Sequence, residues 1–245
     1  MRAIILTAGK GNRLYPLTKN TPKCLLKIFN GHSILESQVN LFREYEIDEI
    51  VIVTGFLAHQ IEQFVELYSD IPIITVHNPF YLISNSIVSC WLAREYMDDD
   101  FLLINGDTVI HQTILEDLLK TRDDICLAVS SKEEYDDDDM KVILDTSRKT
   151  VKDVSKQIPA EKADGESIGF FKFQRRAGRI YQETIEEMFR NDKNLHIFHH
   201  NVIRQIIMNG KEVAYLPVDN ALWEEVDFSL DITLLRNNIN LSFLK

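Results

Sequence analysis

The 245-residue sequence has little of what marks several protein classes. It holds 9 glycines and 6 prolines, too few for a collagenous chain or for a Pro/Gly-rich low-complexity protein. Its 3 cysteines, Cys24, Cys90 and Cys126, are odd in number and form no CxxC pair. That argues against a disulfide framework and suits a reducing compartment. No apolar run reaches the ~18 residues of a membrane span, and the apolar stretch at Met1 to Leu6 is too short for a secretory signal. A soluble, cytoplasmic protein with no membrane partner is therefore expected. Basic charge is also scarce, since 27 Lys and Arg stand against 38 Asp and Glu, a net charge of −11. A duplex-DNA binder presents a basic face, so nucleic acid is not an expected partner. Much of the acidic excess lies in Asp98 to Asp100 and Asp136 to Asp139. Both runs read as solvated loops, because like charges repel and stay wet.

What remains is ordinary globular composition, 45% hydrophobic and 27% charged, at a length suited to one α/β domain with additions. In the first half the hydrophobic period alternates. Ala3–Thr7, Glu49–Thr54, Ile71–Val76 and Phe101–Ile104 read as strands, and Ile34–Tyr45, Ala58–Tyr68 and Asn85–Met97 as helices. Ser33 and Glu36 have the spacing of a capping box. Strands alternating with helices predict βαβ units and a parallel sheet. Ligands of such sheets bind beyond the strands' carboxyl ends, here the loops after Leu6, around His77 to Ser86 and after Asn105. The second half is less regular. It offers strands at Ile125–Val129, Val142–Leu144, Ile168–Phe173 and Val213–Leu216, and helices at Ile180–Phe189, Ile197–Met208 and Phe228–Asn238. Ser131 to Gly165 reads as an irregular acidic insertion. The prediction is one α/β domain over residues 1–245, three-layer and Rossmann-like, with a mixed, mostly parallel central sheet.

The most informative stretch runs from Leu6 through Thr7, Ala8, Gly9, Lys10, Gly11 and Asn12 to Arg13 and Leu14, followed by Pro16-Leu17-Thr18 and Thr21-Pro22-Lys23. A strand leads straight into a loop with two glycines, and glycine lets backbone amides turn toward an anion. Arg13 and Lys23 add side-chain charge. The loop is neither a Walker A sequence nor a dinucleotide fingerprint, because Leu14 takes the third glycine position. By itself Lys23 reads as an exposed turn lysine. Asp107, beside Gly106 at the end of a strand, reads equally as a cleft residue or as a cap for a helix starting near Gln112, and Asp227 could likewise cap the helix at Phe228. His196, His199 and His200 are spaced i, i+3, i+4, a zinc-like pattern with no supporting cysteine or carboxylate, so a structural or surface role is preferred.

The segment LTAGKGNRLYPLTKNTPKCLLKI, Leu6 to Ile28, resembles the signature of the nucleotidyltransferases that activate sugar phosphates and phospho-alcohols. The family pattern is roughly L-x-A-G-x-G-x-R-L, then P-L-T, then P-K-x-L-L. Weaker resemblance continues at Asn105-Gly106-Asp107 and Trp223-Glu224-Glu225-Val226-Asp227. The resemblance implies a nucleotide-binding half over 1–110 and an acceptor-binding half over 111–245. A nucleoside triphosphate would lie over Leu6, Thr7, Ala8, Gly9, Gly11, Asn12 and Gly106. Arg13 would grip the β- and γ-phosphates, Lys23 would stabilise charge at the α-phosphate, and Asp107 and Asp227 would share one Mg²⁺. A phosphate monoester has a second pKa of about 6 and is already dianionic near neutrality. The acceptor then needs no general base, only in-line placement and charge neutralisation.

The resemblance also bears on base and acceptor. Asn78, Ser84 and Asn85 fall in the base-reading region, where the Asn85-Ser86-Ile87-x-Ser89 run looks more like short cytidylyltransferases acting on phosphocholine and similar phospho-alcohols than like thymidylyl- or uridylyltransferases. CTP is therefore the favoured nucleotide and a phosphocholine-like acceptor the favoured partner, with a homodimer left open. Lys156 matches the lysine of the Glu-Lys-Pro motif of hexose-phosphate members, but Ser155 replaces the glutamate. Gly165 to Gly169 is expected to close over the acceptor, with Lys156, Glu166, Gly169, Trp223 and Glu225 touching it and the His196–His200 segment at its edge. Choline would want an aromatic box, for which Trp223, Phe80 and Tyr81 are candidates, though ordinary packing explains them too. The alternatives are a sugar-1-phosphate uridylyl- or thymidylyltransferase, a nucleotide-sugar glycosyltransferase, for which Gly106-Asp107-Thr108 lacks the second acid of Asp-x-Asp, and a non-catalytic nucleotide-binding subunit. A second activity such as acetyl transfer is not expected.

Overall fold

The structure, a computed structural model, describes residues 1–29, 31–228 and 230–233. In chain order the elements are β1 (Arg2–Leu6), a short ribbon of β2 (Lys27–Phe29) and β3 (His32–Ser33), α1 (Ile34–Glu44), β4 (Glu49–Thr54), α2 (Ala58–Val65), β5 (Ile73–His77), α3 (Ser86–Leu92), β6 (Phe101–Asn105), β7 (Thr108–Ile110), α4 (Gln112–Lys120), β8 (Ile125–Ser130), β9 (Lys141–Asp145), β10 (Thr150–Val154), β11 (Gly165–Phe173), α5 (Arg175–Met188), α6 (His200–Met208), β12 (Ala214–Val218) and β13 (Trp223–Glu225). Among the described residues, nine strands form one sheet in the order β5-β4-β1-β6-β11-β8-β12-β10-β9. β5, β4, β1 and β6 run parallel, and β12 is parallel to β8. β11 is antiparallel to β6 and β8, and β10 to β9 and β12.

Alternation along the strands makes this a three-layer fold. In β1, Ile4 joins one core with Val51, Val53 and residues of α3, α5 and α6. Its neighbours Ala3 and Ile5 point the other way, into a core with Ile50, Ile52 and residues of α1, α2 and α4. A strand covered on both faces needs an unbroken apolar run, which is what Ala3 to Ile5 and Ile50 to Val53 supply. α1 begins as its sequence predicts: the Ser33 side chain accepts from the Glu36 amide, and Glu36 accepts back from the Ser33 amide. Burial of an Ile or Phe of this kind contributes about 1.5–3 kcal/mol. The two cores thus hold the sheet rigid, and its loops are left to bind.

Several boundaries differ from the sequence prediction. The expected helix Asn85–Met97 ends at Leu92 and tightens into a 3₁₀ turn at Arg94–Tyr96. The expected helix from Ile197 begins at His200. The segment Ser131 to Gly165 is not irregular throughout, because it holds the β9–β10 hairpin that closes one edge of the sheet. The expected helix Phe228–Asn238 lies outside the described residues from position 234 onward, and residue 229 is also outside them.

Candidate active site

The carboxyl ends of β1, β5 and β6 open into one cleft of about 410 Å³, the place a parallel sheet reserves for ligands. The loop leaving β1 starts as a continuation of the sheet, with the Thr7 amide and hydroxyl both donating to the Val53 carbonyl at 2.9 and 2.8 Å. Gly11 then takes φ +63°, a left-handed turn that side chains resist. The Thr18 hydroxyl locks this turn by donating to the Gly11 carbonyl at 2.8 Å, which explains the Pro-Leu-Thr of the motif. Leu14 is fully buried against Leu26, Ile34, Val109 and Val226, and this anchor leaves Arg13 facing the cleft. Gly106 presses on the same loop. A Cβ there would lie 2.6 Å from the Leu6 carbonyl oxygen.

The buried Leu14 cluster also explains how distant carboxylates meet. β7 and β13 pair as a ribbon, with Glu225 opposite Thr108, and the Val226 amide donates to the Asp107 carbonyl at 3.0 Å. With Val226 buried, Glu225 and Asp227 come beside Asp107. Ligand oxygens of the three acids lie within 4.8 Å of one another. Lys23 Nζ sits across them, 2.7 Å from Asp107 Oδ2 and 2.5 Å from Asp227 Oδ1, and Arg13 Nη1 is 2.9 Å from Asp227 Oδ2. Burial works to lower the Lys23 pKa, but Asp107 and Asp227 outweigh it and hold the ammonium well above its ordinary value. Crowding by protein atoms, then Asp107 and Asp227, raise the Glu225 carboxyl, although its side chain stays open to the cleft. Asp107 Oδ1 is buried without a hydrogen-bond partner. A close set of hard oxygen donors with one unsatisfied oxygen fits a small divalent cation that also takes water and phosphate ligands.

The acidic run Asp136 to Asp139 corrects an expectation: it is a built strap and not merely a solvated loop. Lys141 is 2% exposed, and its ammonium donates to the Asp136 carbonyl at 2.5 Å. A buried ammonium needs such partners, so it gathers the run around itself. Lys132 bridges Asp139 at 2.8 Å and Glu166 at 3.0 Å. The strap thereby delivers Asp138 into the cleft, 2.5 Å from Arg13 Nη1 and 2.8 Å from Lys156 Nζ. Hydrogen bonding to Lys156 holds the Asp138 carboxyl below its usual range, against partial burial. Burial and a hydrogen bond with Asp139 push Glu166 up to about 7, against the pull of Lys132. A carboxyl titrating there can both donate and accept.

The cleft brings together Leu6, Thr7, Ala8, Gly9, Gly11, Asn12, Arg13, Lys23, Asn78, Ser84, Asn85, Gly106, Asp107, Lys156, Glu166, Glu225 and Asp227. Two predicted residues do not line it. Trp223 is 7% exposed and packs into the core over α4, because its place opposite Ile110 in the β7–β13 ribbon turns it inward. Gly169 sits at a bulge in β11, where a Cβ would lie 2.2 Å from Asn105 Nδ2, so it backs Asn105 from behind. Asn78 is 1% exposed, and both ends of its amide are used internally, by Ser89 Oγ and the Phe80 amide. Of the aromatic candidates only Tyr81 lines the cleft; Phe198 lines it too, its ring 4.7 Å from Lys156 Nζ. The zinc-like spacing dissolves, since His196 ends a 3₁₀ turn while His199 caps α6. Sequence reasoning missed Cys24, Asp138 and Met140 as lining residues, whereas Ser167 and Phe198 line the cleft from within the Gly165–Gly169 and His196–His200 segments expected there. The one signal available was a lysine at 141 inside a strand-like run beside four aspartates.

Residues 3–205 match the MobA-like NTP transferase domain. The chain belongs to this family. Among members and relatives, it is 31% identical over 121 residues to the choline-phosphate cytidylyltransferase of Streptococcus pneumoniae, covering 49% of this chain and 51% of that protein, about half its length. It is 23% identical over 250 residues to the CTP:phosphoglutamine cytidylyltransferase of Campylobacter jejuni, covering 95% and 98% of the two chains. The solved CTP:phosphocholine cytidylyltransferase of Streptococcus pneumoniae superposes with a TM-score of 0.79 at 21% identity, over 96% of this chain and 97% of that one. At that identity the likeness establishes the NTP-transferase fold, a mixed α/β sheet with its cleft at the strand ends. Among the described residues, no helix is long and apolar enough to cross a membrane.

Proposed function

We propose that this NTP transferase moves CMP from CTP to a small phosphorylated alcohol, phosphocholine-like in size, and releases pyrophosphate. The observation that carries the reading is the convergence of Arg13, Lys23, Asp107 and Asp227, from the start, middle and far part of the chain, within 2.9 Å hydrogen-bond contacts at the glycine loop. Relatives named as cytidylyltransferases support the choice of nucleotide. In this reading residues 1–110 hold the nucleotide and residues 111–245 the acceptor.

The reaction is NTP + R–O–PO₃²⁻ → NDP–O–R + pyrophosphate. An oxygen of the acceptor phosphate attacks the α-phosphorus, and the bond from that phosphorus to the bridging oxygen breaks. The loop amides and Arg13 hold the triphosphate tail, and Arg13 leaves Asp138 and Asp227 to do so. Lys23 exchanges carboxylate oxygens for phosphate oxygens and meets the charge that builds at the α-phosphate. Lys156, released from Asp138, holds the acceptor phosphate in line. Asp107 and Asp227, with Glu225 adjacent, would hold Mg²⁺, which when bound supplies charge neutralisation across the phosphates. Pyrophosphate release over a grid of nucleoside triphosphates and phosphorylated acceptors tests the reading. Release with CTP and a phospho-alcohol is expected. Release only with UTP or dTTP and a sugar 1-phosphate, or with no pair at all, would overturn it.

A further inference from the structure

We propose that His199 and His200 form a hydrogen-bonding wall of the acceptor subsite, where two ring N–H groups hold an oxygen of the phosphorylated acceptor. The inference rests on the transferase reading above. Both side chains are buried, at 1% and 3% exposure, yet both border the cleft. Each ring is braced by a serine. Ser86 Oγ accepts from the His199 backbone amide at 3.0 Å and faces His199 Nδ1 at 3.0 Å. Ser167 Oγ accepts from the Gly169 amide at 3.2 Å and faces His200 Nε2 at 2.9 Å. A serine hydroxyl has one proton to give. If the histidine nitrogen donated instead, that proton would lack an acceptor. The arrangement with fewest unmet groups therefore has each serine donating to its imidazole, which puts the ring proton on Nε2 of His199 and on Nδ1 of His200.

Those two nitrogens have no hydrogen-bond partner. A buried donor left unpaired is costly, and two of them in adjacent rings of one cleft point to a ligand that completes them. The ligand is an oxygen acceptor and not a cation. Burial pushes the His199 imidazole down to about 3, and burial, then its neighbours His199 and Lys156, hold His200 well below its ordinary value. The rings are thus neutral donors beside an ammonium. A metal does not explain the pair, because the only metal-type cluster among the described residues is Asp107, Glu225 and Asp227. The acceptor half supplies most of the surroundings. Ser167 follows Glu166 on β11, and Phe198 beneath Lys156 immediately precedes the pair.

The oxygen comes either from the acceptor's phosphate or from its substituent, and two probes separate these. Phosphocholine carries oxygen only on its phosphate group, whereas glycerol 3-phosphate adds hydroxyls. Imidazole ¹⁵N resonances of the whole chain are recorded with Mg²⁺ and CTP, then with each probe. Addition of a probe is expected to shift His199 Nε2 and His200 Nδ1. A shift with both probes assigns the phosphate, and a shift with glycerol 3-phosphate alone assigns the substituent. Rings that respond to CTP alone and to neither probe would overturn the proposal. Kinetics give the second arm. His199→Phe and His200→Phe, with folding checked by thermal melts, are expected to raise the acceptor KM about tenfold each, the upper range for a neutral hydrogen bond, with CTP KM and kcat held. His199→Gln and His200→Asn, which keep a donor at the matching nitrogen, are expected to restore it. Folded Phe variants with unchanged acceptor KM would refute the wall. A wild-type chain that releases no pyrophosphate, yet shifts both rings with a probe, would sink the transferase reading while leaving this one standing.

Discussion

The two halves of the cleft are built differently. On the side proposed to hold the nucleotide, Leu6 to Lys23 is one continuous stretch. It hangs from a parallel strand and is pinned by Thr18 to Gly11 and by Leu14 to its cluster. On the side proposed to hold the acceptor, Asp138, Lys156, Glu166 and the histidine pair arrive at the cleft on separate segments. A triphosphate is the same group in every NTP, so a contiguous loop of amides can hold it. An acceptor differs from enzyme to enzyme, and side chains converging from distant segments can change without disturbing the sheet.

That contrast can be broken or sharpened by experiment. The largest expected effect is loss of turnover on chelation of divalent cations, with recovery on adding Mg²⁺; full activity in chelator would contradict the three-carboxylate site. Lys23→Ala follows, with turnover expected to fall about 10²–10³-fold, the usual loss for a charge-stabilising donor, while circular dichroism stays native. Third is Gly106→Ala, whose Cβ meets the Leu6 carbonyl at 2.6 Å. It should raise the CTP KM more than the acceptor KM and cost about 1–3 kcal/mol in urea melts; an equal effect on both substrates would erase the division of the cleft. A smaller change comes from Asp138→Asn. It frees Arg13 and Lys156 from a half-exposed ion pair and should lower both KM values a few-fold, since such pairs are worth about 0.2–1 kcal/mol. A rise in either would mean that the strap binds substrate.

The smallest effect is on stability against pH. His199 and His200 are held neutral in the folded chain, with His199 at about 3, against an ordinary value of 6.5. Below pH 6.5 the unfolded chain binds more protons, so stability falls as pH drops from 6.5, by about 1.4 kcal/mol per pH unit for each ring. Glu166 acts oppositely. Its folded value of about 7 exceeds the ordinary 4.5, as do those of Glu224, raised to about 7, and Glu225, raised to about 8, so these carboxyls add stability as pH falls toward 4.5 and offset the two rings. Stability should therefore stay nearly level from 6.5 to 4.5 and decline below. Melting temperatures across that range test this, and the double His199→Phe/His200→Phe variant should flatten the acid limb.

How much could be read without the structure follows the same division. β4 and the α1 capping box were legible to the residue, because their signals, an apolar run and a Ser-x-x-Glu spacing, are local. The glycine loop was legible as a turn after β1 because its residues are contiguous. Asp107 and Asp227 needed the family resemblance to be paired, as the β7–β13 ribbon that joins them is only three residues a side. Trp223 was misjudged because three-residue strands carry no alternation to tell inside from outside. The strap at Asp136 to Asp139 was hidden for a further reason. Charge runs are normally solvated, and nothing local says that a lysine at 141 is buried beneath this one. The serine braces on His199 and His200 join residues 113 and 33 positions apart, beyond the reach of any periodicity.

The most direct test of the central claim is a crystal structure of the chain with Mg²⁺ and a non-hydrolysable CTP analogue. Triphosphate oxygens on the Thr7–Arg13 loop, Lys23 turned from its carboxylates to the α-phosphate, and the cation between Asp107 and Asp227 are predicted. A triphosphate bound away from that loop, or a cation held without those two aspartates, would contradict the account.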